Sequence, residues 1–464
     1  MKKYLLVFTI NLFLFANGFS QDSLNVNLLF HWDDPGLPGS SAYNNTYNEI
    51  WGFVQDNREY AVIGSTMGTH IFDVTDPVNS VLADFVPGGA QGTSIIHRDF
   101  HDYNGFLYMV ADEGTNSTLQ IVDLSYLPDS VHKVYDSNVL IKRAHNIFID
   151  TATAKMYVGG GFTTANNYLS IYSLNNPVQP VFLKSYTTAG YVHDMYVRND
   201  TAYLNAGFVG GGGTGGLHIV DFTDTQNPVT INTLTNYPFS GYNHSGWLNE
   251  QGNIYVFADE THGMPLKVLD VSDFNNLQVL STLTSGVASN SIPHNVLIRD
   301  NYAYVSYYYD GLYIFNLSDP SNPFVAGFYD TSLEPNGNSY KGAWGVYPHL
   351  PSGNVLLSDM QNGLYVFDVS GALVTSVNEN IFQSNSISVY PNPASDILNI
   401  IFAGLNNEKI EIALINNLGQ NILNNKLILS GDFTTLDVKD ILPGIYTLKI
   451  NSETNHWNKK IIIR

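Results

Sequence analysis

The chain has 464 residues, enough for one large and one small domain, and its formal net charge is −21, from 20 Lys and Arg against 41 Asp and Glu. This charge argues against nucleic acid and anionic membrane surfaces as partners, because both would repel the protein. The sequence contains no cysteine, which excludes disulfides, thiolate metal sites, cysteine nucleophiles and a lipid-modified cysteine.

Residues 1–20 have the layout of a secretory signal peptide. Lys2 and Lys3 precede an apolar run over residues 4–16, and the segment ends in small residues at Ser20. The run is too short to span a bilayer, which takes about 20 residues. We therefore expect export, with cleavage after Ser20.

Residues 21–371 are organised around a repeat of about 50 residues. An apolar strand motif with a polar fifth residue recurs seven times, and the polar residues are 46–52 positions apart. The copies span residues 69–74, 119–124, 169–174, 217–222, 266–271, 312–317 and 364–369. In the sixth repeat, four short strand-like runs lie between residues 296 and 328. Four strands per period predict an all-β fold, and seven repeats predict a seven-bladed β-propeller.

Residues 26–33 resemble the fourth strand of a repeat, although no repeat begins nearby. The seventh repeat lacks the Pro-containing turn that precedes the fourth strand in other repeats. We predict that residues 26–33 pair with residues 364–369 and complete the seventh blade. Such pairing would close the ring and remove an unpaired strand edge.

A second marker precedes the first strand of each repeat. Its seven positions are Trp51, His97, His145, His193, His244, His294 and Trp344. In a propeller these turns lie on one face near the central channel, so the five histidines should ring one opening. Glu113 and Glu260 follow the second strands of two repeats and should reach the same rim.

Imidazole and carboxylate ligands together suit zinc, manganese or iron, so a divalent metal ion is the candidate cofactor. The candidate metal ligands are His97, His145, His193, His244, His294, Glu113 and Glu260. In the alternative interpretation, each histidine ties the turns of its own blade by hydrogen bonds and no metal binds. Tryptophan at two of the seven positions favours this alternative. The sequence has no catalytic motif of the Gly-x-Ser-x-Gly or His-Glu-x-x-His type, so catalytic residues stay unknown.

Residues 372–385 are polar and irregular and are interpreted as a linker. From residue 386 to residue 464 the strands leave the 50-residue period and predict a small β-sandwich. The predicted strands span residues 387–389, 397–402, 409–415, 435–438, 446–450 and 460–463.

The third-strand motif, as in residues 119–123 and 217–221, resembles the LVIVD repeat. The whole run from Val26 to Val369 resembles the choice-of-anchor B family of exported bacterial proteins. The resemblance implies a propeller and surface display, but it implies no defined chemistry.

Residues 386–464 resemble the type IX secretion C-terminal sorting domain. The residues that carry this resemblance are Tyr390, Pro391, Asn392, Pro393, Gly419, Gly444, Tyr446, Lys459 and Lys460. The resemblance implies recognition by an outer-membrane translocon and removal of the domain by a processing enzyme. It also implies delivery through the periplasm to the cell surface or the medium.

Three functions are compatible with this organisation. The first is a binding or adhesion module whose glycan or protein ligand meets one face of the propeller. The second is a metal-dependent hydrolase or lyase that acts on an extracellular polymer through the histidine rim. The third is a structural spacer in a surface layer. In each case the mature chain has no transmembrane segment.

Overall fold

The computed structural model describes residues 22–161, 168–207, 215–332, 334–373, 387–392, 394–402, 409–416, 420–429, 433–452 and 456–464. The predicted signal peptide, the middle of the glycine-rich segment 207–216 and most of the predicted linker lie outside these residues. The chain divides into two compact units between residues 374 and 375. Among the described residues, no helix is long and apolar enough to cross a bilayer.

The first unit consists of short antiparallel strands, because apolar residues rich in β-branched and aromatic types alternate with tight turns. Two strands precede the repeats, β1 (Ser23–Leu24) and β2 (Asn27–Trp32). The first sheet contains β3 (Tyr47–Gln55), β4 (Arg58–Ser65), β5 (Gly68–Asp73) and β6 (Val81–Pro87). The second contains β7 (Arg98–Tyr103), β8 (Phe106–Ala111), β9 (Leu119–Asp123) and β10 (His132–Ser137). The third contains β11 (Asn146–Asp150), β12 (Lys155–Gly159), β13 (Leu169–Ser173) and β14 (Val181–Tyr186). A 3-10 turn, Pro77–Asn79, precedes β6.

The next three sheets repeat this order. The fourth contains β15 (Asp194–Arg198), β16 (Thr201–Asn205), β17 (Leu217–Asp221) and β18 (Val229–Leu234). The fifth contains β19 (Asn243–Leu248), β20 (Ile254–Asp259), β21 (Leu266–Asp270) and β22 (Gln278–Leu283). The sixth contains β23 (Val296–Arg299), β24 (Tyr302–Ser306), β25 (Leu312–Asn316) and β26 (Phe324–Tyr329). The last sheet of the unit contains β27 (Ala343–Tyr347), β28 (Val355–Asp359) and β29 (Gly363–Asp368). The described part of this unit therefore forms seven sheets.

The two amino-terminal strands join sheets from the end of the unit. β2 pairs antiparallel with β29, and Trp32 lies opposite Leu364. β1 pairs with β26, which the sequence did not predict. β2 thus supplies the fourth strand of the sheet that contains β27–β29.

The first strands of the sheets form a closed circle, since each contacts the first strand of the next sheet and β27 contacts β3. Apolar clusters lie between neighbouring sheets, and one cluster includes residues of both the last sheet and the first, such as Leu356 and Ile50. A lone four-stranded sheet would leave both apolar faces in water. Burial of large apolar side chains, at about 1.5–3 kcal/mol each, offsets the entropy of ordering the strands only when the sheets stack.

The second unit is also built of β-strands around its own apolar cluster. Its strands are β30 (Ile387–Tyr390), β31 (Ile397–Phe402), β32 (Lys409–Asn416), β33 (Asn421–Ile428), β34 (Phe433–Asp437), β35 (Gly444–Asn451) and β36 (His456–Ile463). They form one sheet of three and one sheet of four strands. The sequence analysis missed β33, because its polar-rich sequence NILNNKLI lacks a regular apolar alternation and most of the strand is exposed.

Candidate functional site

Five histidines and one tryptophan form a closed ring of aromatic side chains around one end of the central channel. Successive rings have centroids 3.9–5.6 Å apart, in the order His97, His145, His193, His244, His294, Trp344 and back to His97. Each residue belongs to a different sheet, and the repeat brings them together because each lies at the entry to a first strand. We call these six residues the histidine ring.

The sequence analysis was wrong about Trp51, which lies outside the histidine ring. β3 begins four residues before Trp51, whereas β19 and β27 begin one residue before His244 and Trp344, so Trp51 lies further along its strand than the other markers. There its ring contacts His101 at 4.4 Å and Tyr347 at 4.9 Å between centroids.

The histidine ring opens into a cavity of about 270 Å³. Tyr43, Tyr308 and Tyr340 line its wall, together with Glu113 and Glu260. Glu260 directly follows β20 and Glu113 follows β8 by two residues. Because second strands run antiparallel to first strands, they return both carboxylates to the end of the channel where the histidines lie.

Carboxylates or backbone carbonyls orient three of the imidazoles through their Nδ1 atoms. His145 Nδ1 lies 2.9 Å from Asp112 Oδ2, and His193 Nδ1 lies 3.2 Å from Asp194 Oδ1. His294 Nδ1 donates to the carbonyl of Trp344 at 2.5 Å. With Nδ1 engaged, Nε2 is the ring nitrogen left to bind a metal or a ligand group.

His244 differs from these three, because within the described chain neither of its ring nitrogens has a hydrogen-bond partner. His244 as a whole is only 1% exposed. Its Nε2 lies 3.8 Å from Glu260 Oε2 and its Nδ1 lies 3.9 Å from Asp194 Oδ2. Both distances are too long for hydrogen bonds. A buried polar group without a partner costs folding free energy. The unpartnered imidazole of His244 therefore indicates that the cavity accepts an ion or ligand group that would contact it.

Among the described residues, two sets of three side chains lie close enough to hold one metal ion. They are His145, His193 and Asp194, and His193, His244 and Glu260, with ligand atoms within 4.8 Å of one another in each set. The Tyr308 hydroxyl donates a hydrogen bond to Glu260 Oε1 at 2.5 Å. The other carboxylate oxygen of Glu260, Oε2, is the one that faces His244. Asp194 was not predicted as a ligand. Its place next to the marker His193 was the signal in the sequence that could have identified it.

Two predicted ligands have other roles in this arrangement. Glu113 Oε2 accepts the backbone N–H groups of Ile96 and His97 at 2.9 and 3.0 Å, and so holds the turn into β7. His97 stacks on His145 with an interplanar angle of 8°. Neither His97 nor Glu113 belongs to either set of potential ligands.

The pKa shifts leave most of the ring neutral. Burial and the neighbouring His193 hold the pKa of His244 well below its usual value, and burial lowers the pKa of His294 to about 3. Burial also disfavours the charged form of His145, but the hydrogen bond to Asp112 and nearby carboxylates outweigh it and raise the pKa to about 9. Burial raises the pKa of Glu260 to about 7. Neutral imidazoles offer the lone pairs that a metal ion requires.

The residues of the predicted sorting motif lie at strand ends and edges of the second unit. Asn392 joins the chain after β30 to β36, since its Oδ1 accepts the N–H of Ile462 and its Nδ2 donates to the carbonyl of Lys460. The Tyr446 hydroxyl donates to the carbonyl of Leu442. The other described members are Tyr390 at the end of β30, Pro391 in the bend after it, Gly444 at the start of β35, and Lys459 and Lys460 in β36. Pro393 and Gly419 lie outside the described residues.

Solved structures with a similar fold identify the class of the first unit. The structure of U3-55K is 8% identical, with a TM-score of 0.50 over 74% of this chain and 98% of that chain. The WD40 repeats of RRP9 are also 8% identical, with a TM-score of 0.50 over 74% of this chain and 96% of that chain. WD40 repeats are β-propeller blades, so the four-stranded sheets of this chain form a β-propeller.

Family models identify two parts of the chain. Residues 293–331 match the LVIVD repeat, and residues 388–464 match the secretion system C-terminal sorting domain. The chain therefore combines a β-propeller, of which one stretch matches the LVIVD repeat, with a type IX sorting domain, and it is delivered through the periplasm to the cell surface or the medium. The sorting domain makes the type IX secretion system a partner. No curated protein matches the chain.

Proposed function

We propose that this protein is a seven-bladed propeller of the choice-of-anchor B type and acts outside the cell as a binding or adhesion module. The circle of first strands and the apolar cluster shared by the last and first sheets support seven blades in one closed ring. The observation that carries the binding role is the histidine ring around a cavity of about 270 Å³, with the unpartnered His244 in its wall.

We propose further that the ring binds its ligand through a divalent transition metal. His193, His244 and Glu260 supply two imidazoles and one carboxylate, a donor set that zinc, manganese and iron accept. His145 and Asp194 offer a second set that shares His193. The contacts of His193 to Asp194 and of Glu260 to Tyr308 resemble the outer-shell hydrogen bonds that orient ligands in metal sites.

A metal held on one side of the cavity leaves coordination positions toward its opening. An oxygen group of an extracellular glycan or protein is the natural occupant, because carboxylates and hydroxyls complete such coordination shells. Tyr43, Tyr340 and Trp344 line the same cavity and offer ring faces and edges to the rest of the ligand. Binding would therefore need both the metal and the aromatic wall.

A metal-dependent hydrolase or lyase is the second candidate, and one observation favours it. Burial raises the pKa of Glu260 to about 7 beside the proposed metal ligands. If His145, His193 and Asp194 hold the metal, Glu260 remains a free carboxyl group in the same cavity. A carboxyl group with a pKa near neutrality suits proton transfer to or from a substrate. In this case the ring would cleave the extracellular polymer instead of only holding it.

The test is metal content followed by glycan and polymer binding. The mature protein, purified without chelator, should contain zinc, manganese or iron or take up about one ion per chain. A glycan array probed with and without chelator then separates the candidates. Metal-dependent binding without cleavage supports the binding module, whereas cleavage products from a bound polymer support the enzyme. Wild-type protein that neither contains nor takes up any of these ions overturns the metal site.

A further inference from the structure

A second cavity lies in the central channel beyond the histidine ring and has a different chemistry. It has a volume of about 60 Å³, too small for a substrate and large enough for one ion with little or no water. Six different sheets supply polar side chains to its wall, five from within their first strands and Asn295 from the residue before β23. These side chains are Glu49, Asp99, Asn146, Asp194, Ser245 and Asn295. Each lies one or two residues after the position of a histidine-ring residue or, for Glu49, near the start of β3.

Two carboxyl groups of this layer have no cationic side chain against them in the described part of the chain. Glu49 and Asp99 are only 8% and 5% exposed, yet among the described residues no Lys, Arg or His forms an ion pair with either of them. Glu49 accepts N–H groups of Ile50 and Asn295, and Asp99 accepts those of Phe100, Asn146 and Ile147. These donors satisfy lone pairs, but they bring no positive charge to either carboxyl group.

Two amide oxygens in the same layer are fully buried and have no hydrogen-bond partner in the described part of the chain. They are Oδ1 of Asn146 and Oδ1 of Asn295. Their orientation is set by the carboxylates, because Asn146 Nδ2 donates to Asp99 and Asn295 Nδ2 donates to Glu49. Reversing either amide would bring its oxygen against a carboxylate oxygen. The free oxygens therefore require a donor or a cation.

The sheet next to that of Glu49 makes room for its carboxylate. A Cβ atom at Gly345 of β27 would lie 1.9 Å from Glu49 Oε1. Glycine at this position leaves space for the Glu49 carboxylate beside β27. The seventh sheet thus contributes space where the others contribute polar side chains.

We propose that the cavity is a binding site for a hard divalent cation, Ca²⁺, which would cross-link the first strands along the axis of the propeller. The wall offers carboxylate and amide oxygens and no imidazole, and its one sulfur is the thioether of Met195, which a hard cation does not favour. Ca²⁺ binds six to eight oxygens in flexible geometry. Mg²⁺ fits less well, because it keeps several waters and the cavity has little room for them. The site is separate in residues and in metal preference from the histidine ring, except that Asp194 lies between them.

The experiment is a calcium titration of the full mature protein after chelator treatment, by calorimetry and by thermal melting. Wild type should bind Ca²⁺, and at roughly 100 times the dissociation constant its melting temperature should rise by about 5 °C. Mg²⁺ should give a smaller rise. Glu49→Gln and Asp99→Asn should bind Ca²⁺ at least about tenfold more weakly, as expected when one charged ligand becomes neutral.

Two controls locate the effect. Asp129→Asn removes an exposed carboxylate on a loop and should leave calcium binding unchanged. His244→Ala, in the other cavity, should also leave it unchanged, which separates this proposal from the transition-metal site. In chelator the Glu49→Gln protein should melt at or above the temperature of wild type, because the amide removes charge repulsion, and calcium should reverse the order.

Wild-type protein that neither binds Ca²⁺ nor melts higher in its presence overturns the proposal. Calcium binding that survives unchanged in both carboxylate variants overturns it as well. If one variant fails to fold, the other variant and the wild-type titration still decide.

Discussion

His244 Nε2 lies 3.8 Å from Glu260 Oε2, and neither ring nitrogen of His244 has a hydrogen-bond partner in the described chain. If this pair holds a metal with His193, then His244→Ala should reduce bound zinc from about one ion per chain to less than about a tenth. His97→Ala is the matched control, since His97 belongs to the same ring but to neither ligand set. Elemental analysis of both variants gives the answer. Equal losses of bound zinc in the two variants would mean that the histidines contribute only through their packing in the ring.

The amino-terminal strand is expected to hold the ring of sheets closed. Trp32 of β2 packs on Phe72 and His70 of the first sheet, with centroids 4.8 and 4.9 Å apart, while β2 itself pairs with β29 of the last sheet. A protein that starts at Tyr47 should therefore lose cooperative unfolding. Trp32→Ala should cost about 2–3 kcal/mol of unfolding free energy, a little below the usual cost for a buried tryptophan.

Leu28→Ala serves as the control for this strand, because Leu28 is 39% exposed on β2. It should change stability by less than about 1 kcal/mol. Thermal melting with and without residues 21–46 is the simplest measurement. Equal melting temperatures would show that β2 is not needed to close the ring.

Acid should weaken the same junction through His70. Burial lowers the pKa of His70 to about 4, although Asp34 raises it in part. The unfolded histidine has a pKa of about 6.5, so between pH 6.5 and 4 the unfolded state binds more protons. Stability that is present above pH 6.5 is thus lost as the pH falls toward 4.

The measurable consequence is a difference between wild type and His70→Gln in how the free energy of unfolding depends on pH. From pH 7 to pH 5, wild type should lose about 1–2 kcal/mol more unfolding free energy than His70→Gln, in which the group cannot titrate. His132→Gln, at an exposed position on β10, should behave as wild type. Parallel urea-denaturation curves for wild type and His70→Gln would refute the assignment.

Deletion of residues 386–464 should leave a folded propeller in the periplasm. The sorting-domain match is confined to residues 388–464, and each unit has its own apolar core. Cell fractionation followed by thermal melting of the periplasmic protein tests both parts of the expectation. Normal amounts of the truncated protein at the surface would mean that the export signal lies elsewhere.

The sequence alone determined the repeated strands, the period near 50 residues and the sorting domain. These features are local, because alternation of side chains along a strand and turn chemistry act over a few residues and are copied in every repeat. For the same reason, five histidines at equivalent turns had to lie near one another once the repeats formed a propeller. The markers failed at Trp51, because β3 begins four residues before it and the residue lies deeper in its strand than the other markers do.

Only the tertiary structure decided how these side chains are used. It excluded Glu113 from the potential ligand sets by engaging it with backbone N–H groups, and it added Asp194. It also gathered Glu49, Asp99 and Asn295 in one cavity, although they lie up to 246 positions apart in the chain. Such contacts depend on the register, the bulges and the packing of separate sheets, and no local pattern records them.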